Sequence, residues 1–259
     1  MTGVRVVPHR HGPVSCVVMR LSVRYSTSLV AATVLTLCAG IWAQAQSTAS
    51  QTAGNGTYIA VDPLANVRYD NRYDVSLGMA YDHMKAGPSL LQGSNLGGLD
   101  LSASYWFSKH WAVEGSGRGY VGTSGTAPNT FLNSQGQSES IQGPFVAQYL
   151  FVAGPEWLGP HNKHGALIAH ALFGGAHGNF EQDLRGNSPS LVDFYNNQTA
   201  PAAIIGGHMD LNRSAHWVFR ITPDAVITRY SINYGSKITQ NDVNFAISVG
   251  VLYKFNKKR

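Results

Sequence analysis

The chain has 259 residues, 13% of them charged, with 19 basic residues against 14 acidic ones and two cysteines. The length admits one large domain or two small ones. A basic excess suits an acidic partner only if it lies in the folded part, and the N-terminus argues that it does not.

Arg20 and Arg24 precede the apolar run 29–43, which ends in Ala43, Gln44 and Ala45. A positive flank, a short apolar stretch and a small-x-small site read as a secretory signal cut before Gln46. The run is too short to span a membrane as a helix, and no stop-transfer flank follows. Met19 stands where such a signal begins, so 1–18 is read as an upstream extension and 1–45 as absent from the mature fold. Arg5, Arg10, Arg20 and Arg24 leave with it and no acid does, so 15 basic residues face 14 acidic ones, a charge near +1. Nucleic-acid binding loses its support. Cys16 and Cys38 leave too, and with them any disulfide or thiol nucleophile. Leu37 stands where a lipid-acceptor cysteine needs a small residue before it.

Residues 46–71 are expected to form a flexible periplasmic lead-in, since 46–56 is rich in Ser, Thr, Gln and Gly. The piece 58–68 fits no element and could pack under the barrel or in its lumen. From 72 to 259 helical signals fade, and eight stretches of β character follow. In the first, Tyr73, Val75, Leu77, Met79 and Tyr81 alternate with Asp74, Ser76, Gly78, Ala80 and Asp82. In the second, Leu99, Leu101, Ala103, Tyr105 and Phe107 oppose Asp100, Ser102, Ser104 and Trp106. The third starts at Trp111 and puts Glu114, Ser116, Arg118 and Tyr120 on one face. Further strands are expected at 141–153, 165–177, 201–211 and 216–229. The last, 244–255, sets Phe245, Ile247, Val249, Val251, Tyr253 and Phe255 against a smaller, more polar face.

Three features favour a transmembrane barrel over a soluble sandwich. The runs are about 10–14 residues, enough to cross a bilayer when tilted, where soluble strands average about 5–6. Connections alternate between short ones, at 108–110, 155–163 and 212–214, and long polar ones, at 84–95, 122–140, 178–200 and 230–242. Short periplasmic turns and long outer loops are the outer-membrane rhythm. Trp106, Trp111, Trp157 and Trp217 each stand beside a short connection and Phe255 ends the last strand, so these five are expected as a periplasmic aromatic girdle. The expected fold is all-β, an eight-stranded antiparallel up-and-down transmembrane β-barrel.

The stretches QYLFVAGP at 148–155, HALFGG at 170–175, GGHMDLN at 206–212 and VFRITPD at 218–224, with the alternating end at Phe255, resemble the outer-membrane β-barrel domain family. These are small barrels of the OmpA type, in versions associated with acidobacterial genomes. The resemblance covers about 70–259 and implies a fold and a bacterial outer-membrane location, with lipid around it, but no activity. It also implies that assembly machinery reads the C-terminal strand. Here 256–259 follow the terminal aromatic, a departure from the family's usual stop.

The presumed lumen face carries Asp74, Asp82, Asp100, Glu114, Arg118, Asp210, Arg220, Asp224 and Lys254. An eight-stranded barrel is just wide enough for side chains to fill it, and opposite charges there pair. Glu114, Arg118, Arg220 and Asp224 are therefore expected as one internal charge network. A gated polar path is the functional alternative.

His161 and His164 flank a short connection, and His170, His177 and His208 could approach one another. With no helix to align the first two and no Cys, neither a metal site nor any cofactor is expected. Gly117, Gly119 and Gly122 match a dinucleotide-binding spacing but lie in a strand with no helix after it, so the match is taken as chance. Glycosylation sequons at Asn55, Asn197 and Asn212 are read the same way. Loops 122–140 and 178–200, the second with Phe180, Glu181, Asp183, Arg185, Phe194 and Tyr195, are the candidate ligand surface. The expected role is structural or interactive and not enzymatic. A narrow pore is the alternative, and a lipid-modifying enzyme, which needs a nucleophile and base at the membrane edge, ranks lower. A soluble calycin-like barrel, with its apolar face turned inward, is the competing fold.

Overall fold

Period-2 alternation over a dozen residues gives each strand two unlike faces, and closure into a ring gives every strand a hydrogen-bonded neighbour on both edges. The computed structural model describes residues 62–90, 92–125, 129–132 and 135–255. The signal and upstream extension, the 46–61 part of the lead-in and the 256–259 tail lie outside the described residues.

Eight strands build the wall: β1 (Tyr73–Met84), β2 (Ser94–Trp106), β3 (Trp111–Thr123), β4 (Phe145–His161), β5 (Gly165–Asn179), β6 (Gln198–Asn212), β7 (Trp217–Thr228) and β8 (Asp242–Lys254). Each pairs antiparallel with its neighbours in sequence, and β8 pairs with β1, closing the barrel. No edge strand remains, so the wall's backbone groups are paired within it. Leu77 fixes the seam, lying opposite Leu101 on β2 and Val251 on β8.

The outward face is apolar. Leu77, Met79, Leu99, Phe151, Phe173, Ile205 and Phe245 are each more than half exposed. The alternate residues Asp74, Ser76, Asp100, Ser102, Glu114, Arg118 and Asp210 are buried inside. A soluble barrel has the reverse arrangement, and a continuous apolar belt of this kind is stable only against lipid. Among the described residues no helix is long and apolar enough to cross a membrane; the crossing is made by strands.

Several boundaries differ from those expected, and the fourth strand, expected from 141, starts at Phe145. β2 begins at Ser94, because Gly97 and Gly98 continue the ladder instead of ending it. β4 runs on to His161, so the connection expected at 155–163 is a three-residue turn at 162–164. Proline usually marks a strand end. Here Pro155 keeps register opposite Val113 and the β5 register is the same on either side of it; a register shift comes only later, between Leu158 and His161.

The interior is layered. At the end of the short turns Trp106, Ala112, Leu158, Ala166 and Ile168 form an apolar cluster, and Tyr69 packs against it. The Tyr69 hydroxyl donates to Asn162 O (3.1 Å) and accepts from Asn212 Nδ2 (2.7 Å). The last residues of the expected flexible lead-in are thus docked across this mouth. The middle of the barrel is polar. At the end of the long loops a larger apolar cluster runs from Tyr120, Leu150, Leu172, Ile204 and Val226 up into the loops.

Candidate functional site

The middle layer holds the chemistry, and strand register explains its pairs. Arg118 lies opposite Asp100, with Nε 3.4 Å from Oδ1, and its Nη1 crosses the lumen to Asp224 Oδ2 at 2.6 Å. Asp100 also accepts from Ser248 Oγ at 2.8 Å. Asp224 reaches past Gly206, its register partner, to His170, the residue on the far side of Gly206. A Cβ on Gly206 would stand 1.9 Å from Asp224 Oδ1, so only glycine leaves that path open. His170 sits between two carboxylates: Nε2 is 2.9 Å from Asp224 Oδ1 and Nδ1 is 2.7 Å from Glu114 Oε2. His208 completes the group, its Nε2 3.2 Å from both Glu114 Oε2 and His170 Nδ1 and its Nδ1 2.8 Å from Thr222 Oγ1.

The four residues expected in one network fall into two. Arg118 and Asp224 pair directly, and Glu114 joins them through His170. Arg220 does not belong with them. It faces Asp210 across β6 and β7 and forks onto it, Nε to Oδ1 at 2.7 Å and Nη2 to Oδ2 at 2.9 Å. Direct register opposition decides the partner, and Asp210 outcompetes the more distant carboxylates. The sequence also left out Glu156, fully buried on β4, because Pro155 suggested a turn there. His170 and His208 are inward, at the parity of Leu172 and Asp210, which is the signal that could have found them. The convergence of Glu114, His170 and His208 overturns the expectation that no ligand set comes together. His177 lies outside, exposed and bonded to Thr199, and His161 faces Gly159 O at the turn.

Buried acids outnumber buried cations in the lumen. Asp74, Asp82, Asp100, Glu114, Glu156, Asp210 and Asp224 are set against Arg118, Arg220 and Lys254. Such an excess is tolerable in a closed interior only if protons or further cations join it.

Around the turn end, Trp111, Trp157, Trp217 and Phe255 point outward, 43–53% exposed, with Trp111 directly opposite Trp157. Trp106 is not part of this ring. It is 4% exposed and donates from Nε1 to Asp74 Oδ2 at 2.6 Å, because its parity is that of Ser104 and Asp100. Tyr73, Tyr105 and Tyr253 extend the ring, which the Trp count had hidden. At the loop end Tyr81, Tyr149 and Phe245 also face outward, 40–56% exposed.

Loop 180–197 was expected to display its aromatics, but it turns them inward. Phe180, Phe194 and Tyr195 are buried, and the Phe180 and Tyr195 rings contact Tyr230 at 5.1 and 5.7 Å. An apolar side chain above a barrel mouth gains more from covering the core than from water. The same loop is tied to the others. Tyr195 N donates to Ala86 O (2.9 Å), Asn187 Nδ2 to Glu139 Oε2 (3.0 Å) and Asn196 N to Ser231 O (3.2 Å). The Tyr195 hydroxyl donates to Asp242 Oδ2. Burial raises the Tyr195 phenol above its ordinary 10.0, and the Asp242 carboxylate adds to that rise. Among the described residues, the large apolar side chains the loops still display are at their tips: Leu132, Leu191, Tyr234 and Ile238 are 43–67% exposed. The last two belong to a hairpin pairing Ser231–Asn233 with Lys237–Thr239, inside the connection expected at 230–242.

No protein-family model matches the chain, and no curated protein matches it in sequence. Among solved structures it is similar to Ail, the attachment invasion locus protein of Yersinia pestis, at 16% identity over 72% of this chain and 99% of that one, TM-score 0.42. It is similar to the outer membrane protein OprG of Pseudomonas aeruginosa at 13% identity over 74% and 99%, TM-score 0.49. Neisserial surface protein A aligns at 15% identity over 71% and 97%, TM-score 0.45. The chain's own geometry carries the architectural conclusion: closed next-neighbour pairing, an apolar outside with aromatic rings, and short turns opposite long loops. It is an eight-stranded β-barrel of the outer-membrane type.

Proposed function

We propose that this chain is an integral barrel of a bacterial outer membrane, with the short turns in the periplasm, acting as a structural or surface-interaction protein through its outer loops. The sealed lumen carries this reading. An apolar cluster with Tyr69 closes the turn end, the side chains of Glu114, His170 and Asp224 are wholly inaccessible at mid-barrel, and loop 180–197 covers the outer mouth. Conduction needs a continuous wet path, and catalysis needs a group that substrate can reach. The carboxylates of Asp210 and Asp224 are instead engaged, and Glu114 is shut away from solvent with them. Among the described residues, the exposed tips at Leu132, Leu191, Tyr234 and Ile238 offer a partner its apolar surface, and β8, with Phe255 just beyond its end, is the segment offered to assembly machinery. Planar-bilayer recording on refolded protein tests the claim. No discrete current steps are expected, and reproducible steps would establish the pore instead.

A further inference from the structure

We propose that Glu114, His170 and His208 form a binding site for a divalent transition-metal ion, zinc as the reference, inside the barrel. Three ligand atoms already converge there. Glu114 Oε2, His170 Nδ1 and His208 Nε2 are separated by 2.7, 3.2 and 3.2 Å. Ligands bound at about 2.0–2.1 Å in a tetrahedron around a zinc ion stand about 3.3–3.4 Å apart, so the two 3.2 Å pairs are nearly in place and the Glu114–His170 pair opens by about 0.6 Å to admit the ion. Two imidazoles and one carboxylate are a donor set suited to such an ion, and the remaining position can take water or Glu114 Oε1, a buried oxygen with no hydrogen-bond partner.

The surroundings set the tautomers that binding needs. Arg118 holds Asp224 as a carboxylate at 2.6 Å, and Asp224 Oδ1 then accepts a hydrogen bond from His170 Nε2, leaving the Nδ1 lone pair facing inward. Thr222 Oγ1 does the same for His208 Nδ1, which frees Nε2. Orienting partners on the far nitrogens of metal-bound histidines are the usual outer layer of such sites. Charge agrees with geometry. Three lone pairs this close repel one another unless a proton or a cation sits among them, and the lumen already holds more carboxyls than cations. The ion would tie β3, β5 and β6 together across the interior. Because the site is closed, it loads as the barrel forms.

The test uses untagged protein refolded with zinc or with a chelator, and then freed of loose metal. Heat-modifiable gel mobility checks folding in each sample. About one zinc per folded barrel is expected, with X-ray absorption showing two imidazoles in its shell. His208→Gln and Glu114→Gln should each lower retention about tenfold or more, while His177→Gln, outside the barrel, should leave it unchanged. Folded wild-type protein that takes up no zinc overturns the proposal, as does zinc that survives both glutamine substitutions. Should those variants fail to fold, the wild-type absorption spectrum decides, and a shell without paired imidazoles refutes the site.

Discussion

Arg220 and Asp210 show how a buried charge is kept. They face each other in register, form two parallel hydrogen bonds and are shielded from water. Removing one partner leaves the other charged and desolvated, so Arg220→Ala should cost about 3–5 kcal/mol. The double substitution Arg220→Met with Asp210→Leu should recover most of that loss. Urea unfolding in lipid vesicles, followed by tryptophan fluorescence, measures both, and equal losses for the single and double variants would refute the pairing. At this scale parity was legible and partners were not. The sequence placed Glu114, Arg118, Arg220 and Asp224 on the inside, but which carboxylate meets which cation depends on register. Trp106 was read by its level along the strand when its parity already placed it inside.

The strand's outer face and the loop cap respond to different solvents. Leu101 lies mid-strand on the lipid side, 54% exposed, and Val75 lies near the turn end of β1. Leu101→Arg should destabilise by about 2–4 kcal/mol and Val75→Arg by about 0–1, since the penalty for charge falls toward the interface. The same urea midpoints check this, and equal costs at the two depths would argue against a lipid belt. The cap depends on neutral phenols. Burial raises Tyr195 and Tyr230 above their ordinary 10.0. Their contribution is complete below pH 10.0 and is lost as pH rises above that value, because the unfolded loop then ionises first. Limited proteolysis should therefore begin to cut loop 180–197 above about pH 10, and an unchanged cleavage rate would contradict the buried cap. Alternation made the strands legible, whereas the cap was not. Phe180, Phe194 and Tyr195 sit among polar residues, and only the open mouth below them explains why they fold inward.

For the whole molecule, strand number, antiparallel order and the alternation of short turns with long loops were all readable, because each follows from local pattern and chain length. The extent of β4 was not, since a proline inside a long barrel strand defies its local rule. The His170 cluster was not readable either, because it joins β3, β5, β6 and β7 across a lumen whose width and stagger no single strand encodes. Closure of this chain into a lipid-embedded barrel is read by the gel mobility of outer-membrane fractions, unboiled against boiled. A fast-migrating band that shifts on boiling is expected in the membrane fraction; a band unaffected by heat, or recovery in the soluble periplasm without detergent, would contradict it.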